Sequence, residues 1–247
     1  MSVSLSARPD PSAAGQRHRA PVLLIASGKG GTGKSTTAVS LGHVLAAEYG
    51  RRVTLCDLDP QASATAFCGL RAAVSPLHGA AVAASAGFAV YPGGVALSAA
   101  PPEVVAAHVE RARDAADVVV VDLRGTLDDA GHTERLLRVP GVCVLAVPAA
   151  EPRSVPEVAK LVARTRAAGA PCRILVNRVM RRRPSQDVLA ALRQHYGALV
   201  LRAAIPERAE VQEAELRLLP VTAVRPRGAV AAALREAAAQ LVGEALV

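Results

Sequence analysis

The sequence predicts an α/β domain with a doubly wound, mostly parallel sheet and helices on both faces of that sheet. Two observations support this fold class. Short apolar runs recur along the chain, and stretches of helical length and spacing lie between them. Continuous apolar runs are typical of strands that are buried on both faces. Alternating strands and helices imply right-handed crossovers, so functional side chains are expected at the carboxyl ends of the strands.

The predicted elements follow one another along the chain without an internal repeat. Five apolar runs are predicted as buried strands, at Val22–Ala26, Val53–Cys56, Val118–Val121, Val142–Val147 and Ile174–Val176. A further strand is predicted near Leu199–Ile205. Helices are predicted at approximately 34–48, 102–114, 127–138, 154–168, 185–195 and 227–243. We expect a single domain over residues 21–247 and a disordered basic tail over residues 1–20, which are rich in Ser, Ala, Pro and Arg.

The composition favours a partner that carries many negative charges. The 247 residues have a formal net charge of +8 and a pI of about 10.0. This balance points to nucleic acid or an anionic membrane surface, although a solvated arginine-rich surface would give the same charge. Hydrophobic residues make up 51% of the chain, which excludes disorder of the whole chain. Aromatic residues make up only 2%, which disfavours base stacking on aromatic side chains.

The cysteines and the apolar runs bear on the cellular compartment. None of the four cysteines lies in a CxxC or CxxH pattern, so motifs for metal binding or redox chemistry are absent. No signal peptide opens the chain, and no apolar run approaches the roughly 20 residues that span a bilayer. We therefore expect a cytoplasmic protein with reduced thiols.

The loop after the first strand carries the strongest functional signal. Residues 28–35 match the pattern G-x-x-x-x-G-K-[ST], between an apolar strand and an amphipathic helix. Glycines let backbone N–H groups converge on phosphate oxygens, and the helix that begins near Lys34 adds its positive end. Lys34 is predicted to reach the β- and γ-phosphates, and Ser35 to supply a hydroxyl to Mg²⁺. An ordinary glycine turn before a helix is the alternative.

A second lysine in this loop is not needed by an ordinary phosphate site. The chain has only three lysines against 26 arginines, and two of the three are Lys29 and Lys34. The segment KGGTGKST resembles the deviant Walker A loop of the ParA/MinD ATPases. The resemblance implies a P-loop ATPase domain in which an ATP-bound homodimer forms and Lys29 touches the nucleotide of the other subunit, although a solvated lysine remains an alternative. The ATP-binding residues implied in this loop are Lys29, Gly30, Gly31, Thr32, Gly33, Lys34, Ser35 and Thr36.

Two carboxylates follow the second strand. Asp57 and Asp59 are two positions apart, so they share one face of an extended chain. These two carboxylates would repel a neighbouring triphosphate unless Mg²⁺ or a water lies between them and the phosphates. The segment DLDPQASAT is similar to the family's DxDPQxxxT switch. This similarity implies that Asp59 positions or activates the attacking water and that Asp57 lies near the metal, whereas an Asp-Pro turn is the alternative.

The third strand end supplies a further carboxylate. Four valines at 118–121 are followed by Asp122, which is the usual Walker B form, in which the acid binds Mg²⁺ through water. The chain then departs from the family, whose common continuation is Asp-x-Pro-Pro or Asp-x-Pro-Gly. Here the residues after Asp122 are Leu123, Arg124 and Gly125. We expect the loss of the proline to loosen the loop that follows.

The strand that ends before Asn177 bears on base recognition. GTPases of the same broad class carry an [NT]-K-x-D motif here, whose Asp recognises guanine. This chain has no Asp in residues 177–180, so guanine is disfavoured. The ParA/MinD resemblance implies that Asn177 contacts adenine. Residues 205–221 are similar to the family's IPxxxxVxEAxxxxxPV stretch, which closes over the base and adds Pro206 to the ATP-binding residues.

The resemblance implies a partition ATPase. In that interpretation, ATP hydrolysis is slow, the ATP-bound dimer binds double-stranded DNA without sequence preference, and a ParB-type centromere-binding protein stimulates hydrolysis and release. The protein would then be cytoplasmic and associated with the nucleoid. Arginines that contact phosphates would make DNA affinity fall steeply with salt, although an arginine-rich loop can also be merely solvated. Many relatives carry arginine where this chain has Glu210. The candidate DNA-binding residues are Arg178, Arg181, Arg182, Arg183, Arg202, Arg208 and Arg217.

Three alternatives stay open at the sequence level. A ParA relative could position a cargo other than DNA with the same chemistry. A MinD-like role at a membrane needs a basic amphipathic helix at the C-terminus, but residues 228–247 hold one Arg, two Glu and no aromatic residue. We therefore expect that helix to cover the sheet and expect no membrane partner. A metal-cluster carrier needs paired cysteines at a dimer face, which the sequence lacks.

Overall fold

The structure, a computed structural model, describes residues 19–73, 77–124, 131–244 and 246. Its strands are β1 Val22–Ala26, β2 Val53–Asp57, β3 Val82–Ala83, β4 Ala89–Tyr91, β5 Val118–Asp122, β6 Val142–Ala146 and β7 Cys172–Ile174. They form one seven-stranded sheet in the order β3-β4-β2-β5-β1-β6-β7. Neighbouring strands are parallel, except that β3 and β4 pair antiparallel at one edge. The doubly wound, mostly parallel α/β fold is confirmed.

The helices lie between the strands, as alternating elements require. The described residues form α1 Lys34–Ala47, α2 Ser63–Phe67, α3 Pro102–Ala112, α4 His132–Leu136, α5 Val155–Ala167, α6 Arg183–Tyr196, α7 Ala209–Arg217, α8 Val221–Val224 and α9 Ala229–Glu244. A proline lies in the first turn of α3, α5 and α6, where its missing N–H has no intrahelical partner to lose. None of these helices combines the length and apolar character that crossing a membrane requires.

The sheet separates two apolar cores. Along β1, Val22 and Leu24 pack on the face that α3, α4, α5 and α6 cover, while Leu23 and Ile25 pack on the face of α1 and α9. All five residues of β1 are buried, as the continuous apolar run predicts. The apolar side of α9 belongs to the second core, with Leu234 and its neighbours buried. The expectation that the C-terminal helix covers the sheet is therefore confirmed.

The predicted strand near Leu199–Ile205 is wrong as a regular strand. This segment pairs with β7 and the residues after it through isolated bridges at Val200 and at Pro206, and the backbone N–H of Ile205 donates to the carbonyl of Val176 at 2.9 Å. The side-chain oxygen of Gln240 on α9 accepts the backbone N–H of Arg202 at 2.9 Å and that of Ala203 at 3.4 Å. These two N–H groups donate to a side chain and not to a neighbouring strand. The segment therefore does not form a continuous ladder of backbone hydrogen bonds.

The other long elements agree with the sequence prediction, except that β7 lies two residues earlier than the predicted run Ile174–Val176. The short elements were missed. Each predicted helix is present, although residues 127–130 of the fourth lie outside the described part. The hairpin of β3 and β4, and the short helices α2, α7 and α8, were not predicted. They span two to nine residues, which is too short for an apolar period to be recognised.

The tail predicted over residues 1–20 lies mostly outside the described part of the chain. Its last two residues are held against α3 and the residue after that helix. Arg19 forms an ion pair with Glu110 at 2.7 Å, and Arg113 donates its Nε–H to the carbonyl of Ala20 at 2.7 Å. Ala20 is itself buried. Packing of the chain against the domain thus begins by residue 19, and the division into tail and single domain stays a prediction.

Candidate nucleotide site

The glycine-rich loop joins β1 to α1 and lies tightly between neighbouring elements. Gly33 has a φ of 90°, in the left-handed region that favours glycine, and a Cβ there would lie 2.3 Å from Nδ2 of Asn177. A Cβ on Gly28 would lie 2.6 Å from the Cβ of Glu157 on α5. The glycines at these two positions are therefore required by close approach, and the loop is held between α5 and the residues after β7.

Two cavities meet at this loop. One of about 420 Å³ lies toward the residues after β7, and one of about 480 Å³ lies over the amino end of α1 and beside Asp59. The residues that line both are Gly31, Gly33, Thr36 and Glu215. Each volume is within the range of a small-molecule site. The first cavity is called the base cavity below and the second the phosphate cavity.

Lys34 is buried at the start of α1, where it lines the phosphate cavity. Burial lowers the pKa of its ammonium, and the charges of Asp122 and Asp59 act in the opposite direction. A buried ammonium group is stable when an anion compensates it. The position predicted for the phosphate-binding lysine thus has the environment that such a role needs.

Asp122 ends β5 with a side chain that is fully buried. Neither of its carboxylate oxygens has a hydrogen-bond partner of normal geometry among the described residues. Burial raises the pKa of this carboxyl, Asp57 raises it further, and the neighbouring Ser35 hydroxyl and Lys34 lower it. A buried carboxylate that lacks a partner calls for an additional ligand. Together with the Ser35 hydroxyl, it fits Mg²⁺, which prefers oxygen ligands.

The described residues contain no group of three or more His, Cys, Asp or Glu side chains that could hold a metal ion alone. Mg²⁺ is commonly held by one or two carboxylates together with nucleotide phosphates and waters. Such an ion would be bound with its nucleotide rather than in a protein cage.

Asp57 is engaged with the chain itself. One of its oxygens accepts the backbone N–H of Thr65 at 2.8 Å and the Thr65 hydroxyl at 2.7 Å, and the other accepts the N–H of Asp59 at 3.1 Å. Burial raises the pKa of the Asp57 carboxyl. These contacts fasten the start of α2 to the end of β2, and a direct metal role for Asp57 stays a prediction. Asp59 lines the phosphate cavity, and its Oδ1 accepts the N–H of Gln61 at 2.9 Å.

Lys29 turns away from the phosphate cavity toward the segment after β6. Its Nζ donates to Oε2 of Glu151 at 3.2 Å, and Nε of Arg153 donates to the same oxygen at 3.1 Å. The two cations lower the pKa of Glu151, with Lys29 contributing most. Within one subunit, Lys29 is thus paired with a carboxylate, and its contact with a second subunit stays a prediction.

The base cavity contains both residues predicted there. Asn177 donates its side-chain N–H to the carbonyl of Thr32 at 2.7 Å and accepts the backbone N–H of Arg178 at 2.8 Å. Its amide therefore braces the loop, and adenine contact by Asn177 stays a prediction. Pro206 lines the same cavity. Arg178 bridges the carbonyl of Gly31 at 3.2 Å and Oε1 of Glu207 at 3.1 Å.

The structure divides the arginines predicted to bind DNA. Arg181, Arg182 and Arg183 lie together and exposed where α6 begins. Arg202 contacts Arg193 near the other end of α6, roughly 15 Å along the helix at about 1.5 Å per residue.

The remaining three lie closer to the nucleotide site. Arg178 borders the base cavity, and Arg208 is exposed beside it with its guanidinium bonded to the carbonyl of Glu207. Arg217 on α7 forms an ion pair with Glu213 at 2.7 Å. Arg181, Arg182 and Arg183 are therefore the group that the structure brings together as one basic surface.

Three residues of the site were not predicted as functional. Glu151 follows the carboxyl end of β6, where parallel sheets place ligand-facing groups, so its position was a usable signal. Glu215 lies on α7, and its Oε1 accepts the Thr36 hydroxyl at 3.2 Å. Arg124 lines the phosphate cavity at the position where the sequence departs from the Walker B continuation.

Glu210, the other departure, has a structural partner. Its Oε1 accepts the backbone N–H of Val230 at 2.7 Å, at the first turn of α9. A Cβ at Gly228 would lie 2.2 Å from Oε2 of Glu210, so the glycine there makes room for this carboxylate. An acid is favoured at a helix amino end, and Glu210 thus stabilises α9.

Comparison with known proteins agrees with this geometry. The family model described as the CobQ/CobB/MinD/ParA nucleotide binding domain matches residues 23–221. That range includes the glycine-rich loop, the switch carboxylates, Asp122 and all residues that line the phosphate cavity. The chromosome-partitioning ATPase Soj of Thermus thermophilus is 33% identical over 213 residues, which cover 78% of this chain and 83% of Soj.

Solved structures share the fold. The septum site-determining protein MinD of Pyrococcus horikoshii, complexed with Mg-ADP, has a TM-score of 0.75 at 23% identity, over 90% of this chain and 95% of MinD. Cobyrinic acid a,c-diamide synthase of Mycobacterium smegmatis, with a bound ATP analogue and magnesium, has a TM-score of 0.74 at 24% identity, over 92% and 98% of the two chains.

Proposed function

The chain belongs to the CobQ/CobB/MinD/ParA nucleotide-binding family, and we propose that it is a partition ATPase that uses ATP and Mg²⁺ to move DNA. The observation that carries the nucleotide chemistry is the buried Asp122 carboxylate, which has no hydrogen-bond partner of normal geometry among the described residues and neighbours Ser35 and Lys34 of the phosphate cavity. The likeness to Soj over most of the chain supports partition as the use of that chemistry.

Each residue around the phosphate cavity has a defined part in this proposal. The backbone of the loop and the ammonium of Lys34 hold the phosphates, because both are positive and preorganised. Ser35 and Asp122 hold Mg²⁺, whose positive charge offsets the triphosphate. Asp59 lies in the same cavity and orients the water that attacks the γ-phosphate. The base cavity, lined by Pro206 and the brace residue Asn177, receives the adenosine.

The cycle depends on a second subunit. Two ATP-bound chains face each other across their phosphate cavities, and Lys29 of each contacts the nucleotide of its partner. The dimer binds double-stranded DNA through an exposed basic surface, for which Arg181, Arg182 and Arg183 are the best candidates. A ParB-type centromere-binding protein stimulates a slow hydrolysis, which returns the chains to single subunits and releases the DNA.

The test of this function is an ATP-dependent shift of random-sequence duplex over a salt series. The parent chain with a non-hydrolysable ATP analogue should bind, and the chain with ADP should not. Changing any one of Arg181, Arg182 or Arg183 to Ala should lower the slope of log affinity against log salt by about one for each DNA phosphate that the variant no longer neutralises. Arg227→Ala, at an exposed arginine elsewhere, is the matched control.

Two outcomes would redirect the proposal. If the chain hydrolyses ATP and dimerises but binds no duplex in either nucleotide state, the partition role is wrong and positioning of another cargo becomes the better interpretation. If Lys34→Ala binds ATP as well as the parent does, the nucleotide site itself has been assigned to the wrong residues.

A further inference from the structure

Arg124 is a cation at the phosphate cavity that the family pattern does not account for. It lies two residues after Asp122, where a proline is common in sequences that share this motif. Its side chain is exposed and lines the cavity together with Lys34 and Asp59. The chain therefore presents a guanidinium, in the same subunit, to the space above the phosphate loop.

This guanidinium forms no hydrogen bond or ion pair with any residue that the structure describes. Other arginines near the nucleotide site are engaged, since Arg178 pairs with Glu207, Arg153 with Glu151 and Arg217 with Glu213. Two carboxylates share the cavity with Arg124, and both accept hydrogen bonds from other groups: Asp59 from the backbone of Gln61 and Glu215 from the Thr36 hydroxyl. Arg124 is therefore available to an anionic ligand that enters this cavity.

We propose that Arg124 is a further catalytic residue, which contacts the β- and γ-phosphate oxygens of the nucleotide bound to its own subunit. This inference rests on the proposed ATPase function and deepens it. A guanidinium suits the task because its planar array of N–H donors matches phosphate oxygens in a bidentate manner. It also donates hydrogen bonds without giving up a proton.

Arg124 would accelerate hydrolysis by stabilising the transition state of the reaction. The oxygen of the attacking water bonds to the γ-phosphorus while the bond from that phosphorus to the β–γ bridging oxygen breaks. The electron pair of the broken bond stays on ADP, and both protons of the water remain with the phosphate product, which leaves as dihydrogen phosphate. Negative charge grows on the bridging oxygen, and a cation placed there in advance stabilises it more than it stabilises bound ATP.

In this proposal, Arg124 contacts the nucleotide of its own subunit and Lys29 contacts the nucleotide of the other subunit. Lys29 is paired with Glu151 in the single subunit and needs a second chain to reach a nucleotide. Arg124 faces the cavity of its own chain and needs none. The contribution of Arg124 to hydrolysis should therefore persist at protein concentrations too low for dimers.

The experiment compares Arg124→Ala, Arg124→Lys and the control Arg227→Ala, an exposed arginine outside the site. For Arg124→Ala we expect kcat to fall at least about 100-fold, with affinity for a non-hydrolysable ATP analogue within about 3-fold of the parent. Affinity for the transition-state mimic formed by MgADP and aluminium fluoride should fall much further than affinity for the analogue. Arg124→Lys should recover part of the rate, and added guanidinium ion should partly rescue Arg124→Ala but not Lys34→Ala.

Two results would overturn the inference. One is a parent-like rate in Arg124→Ala. The other is an equal loss of affinity for the ATP analogue and for the transition-state mimic, which would make Arg124 a ground-state contact. Failure of the proposed function would look different, because the parent chain itself would then hydrolyse no more ATP than Lys34→Ala does.

Discussion

Nζ of Lys29 lies 3.2 Å from Oε2 of Glu151, so the lysine expected to serve a second subunit is paired inside its own. Both side chains are partly exposed, at 36% and 24%, which places the pair in the range of about 0.2 to 1 kcal/mol typical of solvated ion pairs. The pair is therefore strong enough to orient the lysine in the single subunit and weak enough to be exchanged for a nucleotide phosphate when a second subunit arrives.

The first prediction is that Glu151→Gln favours dimerisation. Without the carboxylate charge, Lys29 is released at lower cost, so the dimer fraction with a non-hydrolysable ATP analogue should rise by up to about 5-fold. Lys29→Ala should abolish that dimer. Analytical ultracentrifugation over a concentration series measures both. Arg153→Gln is the matched control, since it removes the other partner of Glu151 and leaves Lys29 paired. A dimer constant unchanged in Lys29→Ala would remove the role of this lysine between subunits.

The second prediction concerns Asp59, which lines the phosphate cavity without an ion pair among the described residues. Asp59→Ala should keep ATP affinity within a few-fold of the parent and lower hydrolysis by at least about 100-fold, because it removes the group that orients water. The variant should then accumulate as an ATP-bound dimer that stays on DNA. Single-turnover hydrolysis and a DNA-dissociation assay check this. Turnover at the parent rate would show that another group orients the water.

The third prediction concerns Asp122, whose burial raises the pKa of its carboxyl. The nucleotide-free folded state then binds more protons than the unfolded state, so stability falls as pH rises from the ordinary carboxyl range to the raised folded pKa. Asp122→Asn should remove this dependence and raise the stability of the nucleotide-free protein at neutral pH by about 1 to 3 kcal/mol. That gain corresponds to roughly 2 to 10 °C in Tm for a chain of this size.

Thermal unfolding at several pH values, with and without Mg²⁺ and ATP, measures this effect. The parent should gain more stability from Mg²⁺ and ATP than Asp122→Asn does, because the ion compensates a carboxylate that only the parent has. Asp114→Asn, at an exposed position, is the control. A variant less stable than the parent at neutral pH, with nucleotide absent, would mean that the carboxylate has a compensating partner in the free protein.

The sequence was sufficient for the parts of the site that depend on a continuous motif. The loop at residues 28–36, the carboxylate at Asp122 and the layered sheet follow from local pattern, because phosphate binding and parallel strands each impose a fixed spacing. In the structure Lys34 is buried at the start of α1 and Asp122 is buried at the end of β5.

Pairings between distant segments were beyond local pattern. Glu151 meets Lys29 across 122 positions of the chain, and Glu215 meets Thr36 across 179. No period or spacing links such residues, since only the sheet order and the placement of α7 bring them together. The strand predicted after α6 was wrong for the same reason, since it depends on a contact with a distant segment. The side chain of Gln240 on α9 accepts two of the backbone N–H groups of this segment.

The fourth prediction concerns Glu215, a carboxylate that borders both cavities and accepts the Thr36 hydroxyl at 3.2 Å. A triphosphate bound to the loop would lie close to this negative charge, and like charges several ångströms apart near a surface repel by about 1 to 2 kcal/mol. Glu215→Gln keeps an oxygen that can accept from Thr36 and removes only the charge. We expect its ATP affinity to rise about 5- to 10-fold, with a gain that shrinks as salt screens the repulsion.

Calorimetric titration of ATP at low and high salt measures this gain, with Glu236→Gln as a control at an exposed acid. The direction of the change separates two roles for Glu215. Tighter binding means that the carboxylate opposes the phosphates and keeps nucleotide affinity in check. Weaker binding would contradict the prediction, because it would mean that the carboxylate accepts hydrogen bonds from the nucleotide, for which the ribose hydroxyls are the available donors. Since Gln accepts such bonds less strongly than a carboxylate does, that loss would persist at high salt, whereas a gain from lost repulsion would not.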